Sequence, residues 1–249
     1  MPEPAPDAEP APPRARPVRW RWVRTVDDQL FGVVARAQPD TPEELRRRQV
    51  RSAVVLGVGA AGLAASLRLD HDSPWFPYAA LAVALLWAAG AGWSGRLHLG
   101  RIMVDGRLER PIVQPILLGL LLVALFVAGA HLTALVPALA QQVRDVLGFA
   151  QAGSVALLTV TTLLSGIAEE LFFRGGLYAA IPPPHQVWAT TGLYVAATVL
   201  TGNVMLAFAA AVLGLVTGLQ RRATGGVLAP ILTHVTWSLA MLHLLPRLF

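Results

Sequence analysis

The chain has 249 residues, of which 55% are hydrophobic and only 14% charged, and it contains no cysteine. A soluble domain of this length carries about 25% charged residues, so an ordinary water-soluble globule is excluded, as are a disulfide framework, a thiolate nucleophile and a Cys-ligated metal. The net charge is +5 and every basic residue is arginine; in so apolar a chain those arginines mark cytoplasmic loops and imply no nucleic-acid partner.

Residues 1–17 are rich in Pro, Ala, Glu and Arg with almost nothing to bury, which predicts disorder. No apolar core for a cleavable signal appears before Ala53. Val18–Val26 interleaves Arg19, Arg21 and Arg24 with Trp20 and Trp22, a pattern suited to the anionic headgroup layer. Residues 1–40 therefore read as a basic cytoplasmic tail and 41–249 as a helical membrane domain. Thr41-Pro42-Glu43-Glu44 predicts a helix start, with Thr41 as N-cap, Pro42 at the first helical position and Glu44 completing a capping box. That helix continues through Arg46, Arg47, Arg48 and Arg51 into the first apolar segment.

Crossing a hydrocarbon core of about 30 Å takes roughly 20 apolar residues in a helix. Such segments are read at 52–69, 75–94, 111–131, 152–180, 187–202, 204–219 and 227–246, an all-α, polytopic transmembrane bundle of about seven segments in the cell membrane. With a cytoplasmic N-terminus, the arginines before Ala53, those at Arg96, Arg101, Arg107 and Arg110, and Arg221 with Arg222 all fall inside, and the C-terminus lies outside. The outer loop at 70–74 carries Asp70 and Asp72. The stretch 133–149 places Leu135, Leu139, Val143 and Leu147 on one side, away from Gln141, Arg144 and Asp145, and predicts an amphipathic helix on the outer interface. The fifth and sixth segments are short, so the Thr201-Gly202-Asn203 turn between them is expected below the outer surface, where a polar side chain can line a cavity. Gly214 and Gly218 form a GxxxG that permits close helix packing.

The chemistry falls in the fourth and seventh segments. Charge inside a spanning helix costs at least a few kcal/mol, and what persists there usually faces a cavity or a partner. Glu170 and Arg174 stand four apart, on one face, and can pair. Glu169 is rotated about 100° from Glu170 and so points to a different neighbour, free to act on water. In the seventh segment His234 and Ser238 share a face at a depth comparable to the glutamates.

The Glu169-Glu170-x-x-x-Arg174 signature, the Arg221–Gly226 turn and the Leu228–His234 helix resemble the CPBP family of CAAX-processing and bacteriocin-processing intramembrane proteases, also called Abi proteins. The resemblance covers about residues 150–245. It implies an intramembrane endopeptidase that works among membrane lipids on a peptide or membrane-protein substrate, cleaving near the cytoplasmic membrane face. Glu169 would activate the attacking water, and Glu170 with Arg174 would hold the site together. The family's second motif, Phe-x-x-x-His, is matched here to Val199 and Asn203, so Asn203 would orient the water without taking its proton. The third, His-x-x-x-Asn, becomes His234 and Ser238, which would stabilise the tetrahedral oxyanion. Zinc is the cofactor the resemblance brings with it. It would have Glu169 and His234 as ligands and Asn203 as a poor third, so a tightly held zinc is not expected. The alternative is a degenerate member that binds or protects a membrane partner, as an immunity or scaffold protein, without cleaving it. A small transporter is disfavoured, since no inverted repeat is visible.

Overall fold

The computed structural model describes residues 40–70, 73–104, 107–151 and 154–248. The expectations for the tail before Asp40, and for Asp72 in the outer loop, lie outside those residues. Helix α1, Pro42–Ser66, starts as its sequence requires. The Thr41 hydroxyl accepts from the Glu44 amide at 3.3 Å, and the Glu44 carboxylate accepts from the Thr41 amide at 2.8 Å. Two of the three orphan N–H groups of the first turn are thereby satisfied, Pro42 having none.

α1 packs against α2, Phe76–Ser94, through seats that only glycine leaves open: a methyl at Gly59 would run into the Trp87 ring, and one at Gly90 into Val55. The chain then forms a short antiparallel hairpin, β1 (Ile102–Val104) and β2 (Arg107–Glu109), pairing Ile102 with Glu109 and Val104 with Arg107. This is a departure from the wholly helical expectation. The alternating Ile102-Met103-Val104 and Arg107-Leu108-Glu109 around Asp105-Gly106 carry a recognisable hairpin signal.

α3 (Val113–Thr133) lies against α8, with Gly119 close to Thr233 and Thr236. The short α4, Pro137–Gln151, buries Ala140, Val143 and Leu147 and turns Gln141 and Arg144 outward; of the apolar side read from sequence Val143 and Leu147 are buried, Leu139 is half-buried, and Leu135 precedes the helix and is exposed. α5 runs from Val155 to Glu170 and continues through a π-helical stretch, Leu171–Leu177, into a last turn, Tyr178–Ala180. α6 (Gln186–Val199) and α7 (Val204–Thr224) form a tight hairpin, and α8, Leu228–Leu244, closes the bundle with a 3-10 turn at Leu245–Arg247. Gly214 and Gly218 of α7 sit against Thr191 and Val187 of α6, so the GxxxG does serve close packing.

Six of these helices are long and apolar enough to cross a membrane: α1, α2, α3, Val155–Ala180, α7 and α8. α6 has 14 residues, about 21 Å at the helical rise, short of the ~30 Å hydrocarbon core. α7 runs further than expected from sequence, through Gln220, Arg221 and Arg222, because the first two find partners in the bundle. Gln220 donates to Thr233 Oγ1 at 2.8 Å, and Arg221 Nε donates to the Arg174 carbonyl at 2.6 Å. Large apolar side chains such as Leu117, Leu121 and Leu125 on α3 and Val54 and Val58 on α1 face outward, as a helical membrane bundle requires when lipid is the solvent.

The arginine-bearing ends meet at one face. Gln49 of α1 donates to the Ala180 carbonyl at 3.1 Å, Arg51 to the Trp93 carbonyl at 2.9 Å, and Arg110 to the Gly100 carbonyl at 2.8 Å. The loop before the hairpin docks on the α7–α8 turn through Arg101 N to Thr224 O, Val227 N to His98 O and Leu228 N to Leu99 O, at 2.9, 2.9 and 3.0 Å. Gly225 caps α7 in the left-handed region at φ 68°. A methyl on Gly226 would strike the Leu99–Gly100 backbone. The two glycines of that turn therefore have separate reasons.

Candidate active site

The π stretch of α5 widens the helix where the charged motif sits, a feature found mostly at functional sites. Gly175 and Gly176 bring it close to its neighbours: a methyl at Gly175 would lie 2.7 Å from Leu97, and one at Gly176 would meet Ser94 of α2. An aromatic wall backs the motif. Trp87 stacks on Phe172 at 4.6 Å, and Phe173 lies 4.7 Å from the Tyr194 ring.

Glu170 and Arg174 are both fully buried, and Arg174 Nη1 lies 3.3 Å from Glu170 Oε1. The guanidinium also stands over the Tyr194 ring at 5.0 Å, a cation–π contact, and Gly214 leaves room for its Nη2, 3.2 Å from where a methyl would be. The pairing read from the i,i+4 spacing is therefore present. What the spacing does not reveal is a third member: His234 Nδ1 lies 2.8 Å from the same Glu170 oxygen. With Glu170 ionised beside Arg174, Nδ1 is the donor, and the other ring nitrogen is left for the cavity. α8 is held in register for this by Thr233, whose hydroxyl donates to the Pro115 carbonyl at 2.8 Å while accepting from Gln220.

Glu169 does point elsewhere. Its Oε2 accepts from the Tyr194 hydroxyl at 2.5 Å, and the carboxylate lines a cavity of about 300 Å³ together with Tyr194, Thr198, His234 and Ser238. Gly166 faces the same pair from α5: a methyl there would lie 3.5 Å from the His234 ring and 3.6 Å from Ser238 Oγ.

Asn203 is not among the residues lining this cavity. It is the N-cap of α7: its Oδ1 accepts from the Leu206 amide at 2.9 Å, and its Nδ2 donates to the Gln142 carbonyl at 2.8 Å. Both ends of the amide are engaged in ending one helix and anchoring another, so the water-orienting role read from sequence does not fit its position. The side chains that α6 presents to the cavity are Tyr194 and Thr198, four apart and aromatic first, as in Phe-x-x-x-His. This pair lies five residues before Val199 and Asn203, the pair read from sequence, and has threonine as its second member. A Tyr-x-x-x-Thr on the short helix is a signal that the sequence does contain.

Arg221 was missed as well: the sequence reading placed it in the cytoplasmic turn before Gly225 and Gly226. It is buried, lies over the Tyr178 ring at 4.9 Å and holds the π stretch through the Arg174 carbonyl.

The donor set does not suit zinc, whose sites want three or four Cys, His or carboxylate ligands. Glu169 and His234 reach the cavity, Glu170 is engaged with Arg174 and His234, and no cluster of three or more such groups occurs among the described residues.

Residues 151–240 match the family model described as type II CAAX prenyl endopeptidase Rce1-like, consistent with the CPBP and CAAX protease family. The matched segment contains every cavity-facing polar group just described, from Glu169 to Ser238. No curated protein and no solved structure matches the chain.

Proposed function

We propose that this chain, with its Rce1-like segment, is an intramembrane endopeptidase in which Glu169 activates water against a peptide bond. The observation that carries the reading is the division of labour between adjacent glutamates: Glu170 is closed off by Arg174 and His234, while Glu169 reaches a cavity inside the bundle. With Oε2 oriented by Tyr194, Oε1 can take a proton from water as the water oxygen bonds to the scissile carbonyl carbon. The carbonyl electrons move onto oxygen. The Ser238 hydroxyl can donate to that oxyanion, and beside it the His234 ring, anchored through Nδ1 on Glu170, lines the same cavity. Collapse breaks the C–N bond, and the proton held by Glu169 passes to the leaving amine. Thr198 offers a hydroxyl along the same wall.

A second reading, a relative that binds a membrane partner without cleaving it, draws on one observation: α6 presents Tyr194 and Thr198 to the cavity and no histidine. One experiment separates the two. Purified protein in lipid is incubated with a library of apolar peptides, and products are read by mass spectrometry for wild type, Glu169→Gln and Ser238→Ala. The peptidase reading expects cleavage that Glu169→Gln abolishes and Ser238→Ala slows by about 10–100-fold, within the range for loss of one oxyanion donor or less. Cleavage that survives Glu169→Gln removes the proposal.

A further inference from the structure

We infer that the substrate reaches Glu169 from the membrane face opposite the arginine-rich one, and that it enters as an uncharged apolar stretch of chain rather than by a free C-terminus. This rests on the peptidase reading of the same cavity and reverses the side of access expected from sequence.

The direction follows from where the cavity walls lie on each helix. On α5 the lining residues run from Glu169 back through Ser165 and Thr161 to Leu158, about 16 Å along the helix; none follows Glu169 toward Arg174. On α6 they are Tyr194 and then Thr198, near its end, and on α8 His234 and then Ser238. α1 contributes only its last turns, Leu63 to Leu67, and α7 its first half, Leu206 to Leu213. Every one of these walls leads away from the face where Arg46, Arg47, Arg51, Arg101, Arg110 and Arg222 gather. The positive-inside rule makes that arginine face cytoplasmic, so the cavity leads to the exterior side. There α4 lies across its far end, Val146 lining it, and Gln142 accepts from the Val204 amide at 2.8 Å.

The chemistry of the walls selects the occupant. No arginine lines the cavity, and Arg174 is fully buried, paired with Glu170 and lying over the Tyr194 ring. A terminal carboxylate entering here would face the Glu169 carboxylate with no arginine to offset it, which a low-dielectric site penalises heavily. A volume of about 300 Å³ is at the small end of ligand pockets, with Ala84, Ala209, Ala210 and Leu213 offering apolar contact and Thr162 and Ser165 offering hydroxyls to a peptide backbone.

The absence of cysteine makes the test direct. Leu67→Cys and Thr162→Cys place single thiols on the outer part of the cavity, and Arg222→Cys places one on the arginine face. A membrane-impermeant thiosulfonate applied to intact cells should modify Leu67→Cys and Thr162→Cys and spare Arg222→Cys, with the reverse pattern in inside-out vesicles. A doubly blocked apolar peptide should slow modification of Thr162→Cys at least 10-fold more effectively than the same peptide with a free carboxylate. Modification of the cavity thiols only from the inside-out side would overturn the route, and equal protection by both peptides would overturn the occupant. Turnover is not needed, so the measurement stands apart from the reading beneath it. Outside access with protection but no cleavage in wild type sinks the peptidase alone. Cleavage with inside access alone sinks this inference.

Discussion

Arg174→Ala should unfold the site before it alters any chemistry. Both Arg174 and Glu170 are fully buried, 3.3 Å apart, and the guanidinium also fills the space between the Tyr194 ring at 5.0 Å and the Phe173 ring at 5.9 Å. Truncation removes the guanidinium from the buried Glu170 carboxylate and leaves its 2.8 Å hydrogen bond with His234 in place. Breaking a buried pair from one side typically costs about 3–5 kcal/mol, and lost contact with two rings adds to it. At roughly 2–4 °C per kcal/mol for a chain of this size, the melting temperature should fall by about 10 °C or more. Thermal unfolding of protein in detergent, with folded protein in membranes measured alongside, gives the readout. Arg174→Lys keeps the charge but not the flat face over Tyr194, and should fall between wild type and alanine. A melting temperature for Arg174→Ala within about 2 °C of wild type would show that the ion pair and the ring contacts contribute nothing net, and would refute the assignment of Glu170 as the structural carboxylate.

Asn203→Ala removes an N-cap and should cost about 1 kcal/mol in unfolding measurements while leaving the rate of peptide cleavage within about twofold; a loss of activity with unchanged stability would return Asn203 to the site. Asn203→His should leave zinc content by elemental analysis where it is in wild type, since the position does not line the cavity, whereas Thr198→His, which adds a third donor near Glu169 and His234, should raise it. Gly226→Ala forces a methyl into the Leu99–Gly100 backbone and should destabilise by about 1–3 kcal/mol or more, seen as less folded protein in the membrane; wild-type yield would mean that the docked loop gives way freely. A reporter fused after Phe249 should be active on the side opposite the arginine face, because α8 starts at that face and runs away from it, and activity on the arginine side would overturn that helix direction.

What could be read from the chain alone was what depends on near neighbours along it. The Thr41–Glu44 box and the Glu170–Arg174 pair are each set within four residues, where helix geometry leaves little choice, and the apolar runs are unbroken stretches of chain. The glycines of the α7–α8 turn and of the GxxxG declared tight approach without saying to what. Contacts between helices were another matter. Asn203 and Thr198 are both polar residues near one turn, and the cavity's choice between them depends on where α6 stops and how it is rotated against α5 and α7. The meeting of His234 with Glu170 spans 64 residues of sequence separation and depends on Thr233 pinning α8 to α3 and α7. Arg221 was read as part of a cytoplasmic turn because arginines flanking an apolar run usually mark such a turn. Only the packed bundle supplies the Arg174 carbonyl and the Tyr178 ring that make its burial tolerable. The direction of the cavity has the same origin: it is a gap shared by seven helices, and a shared gap belongs to their relative placement, which no local period encodes.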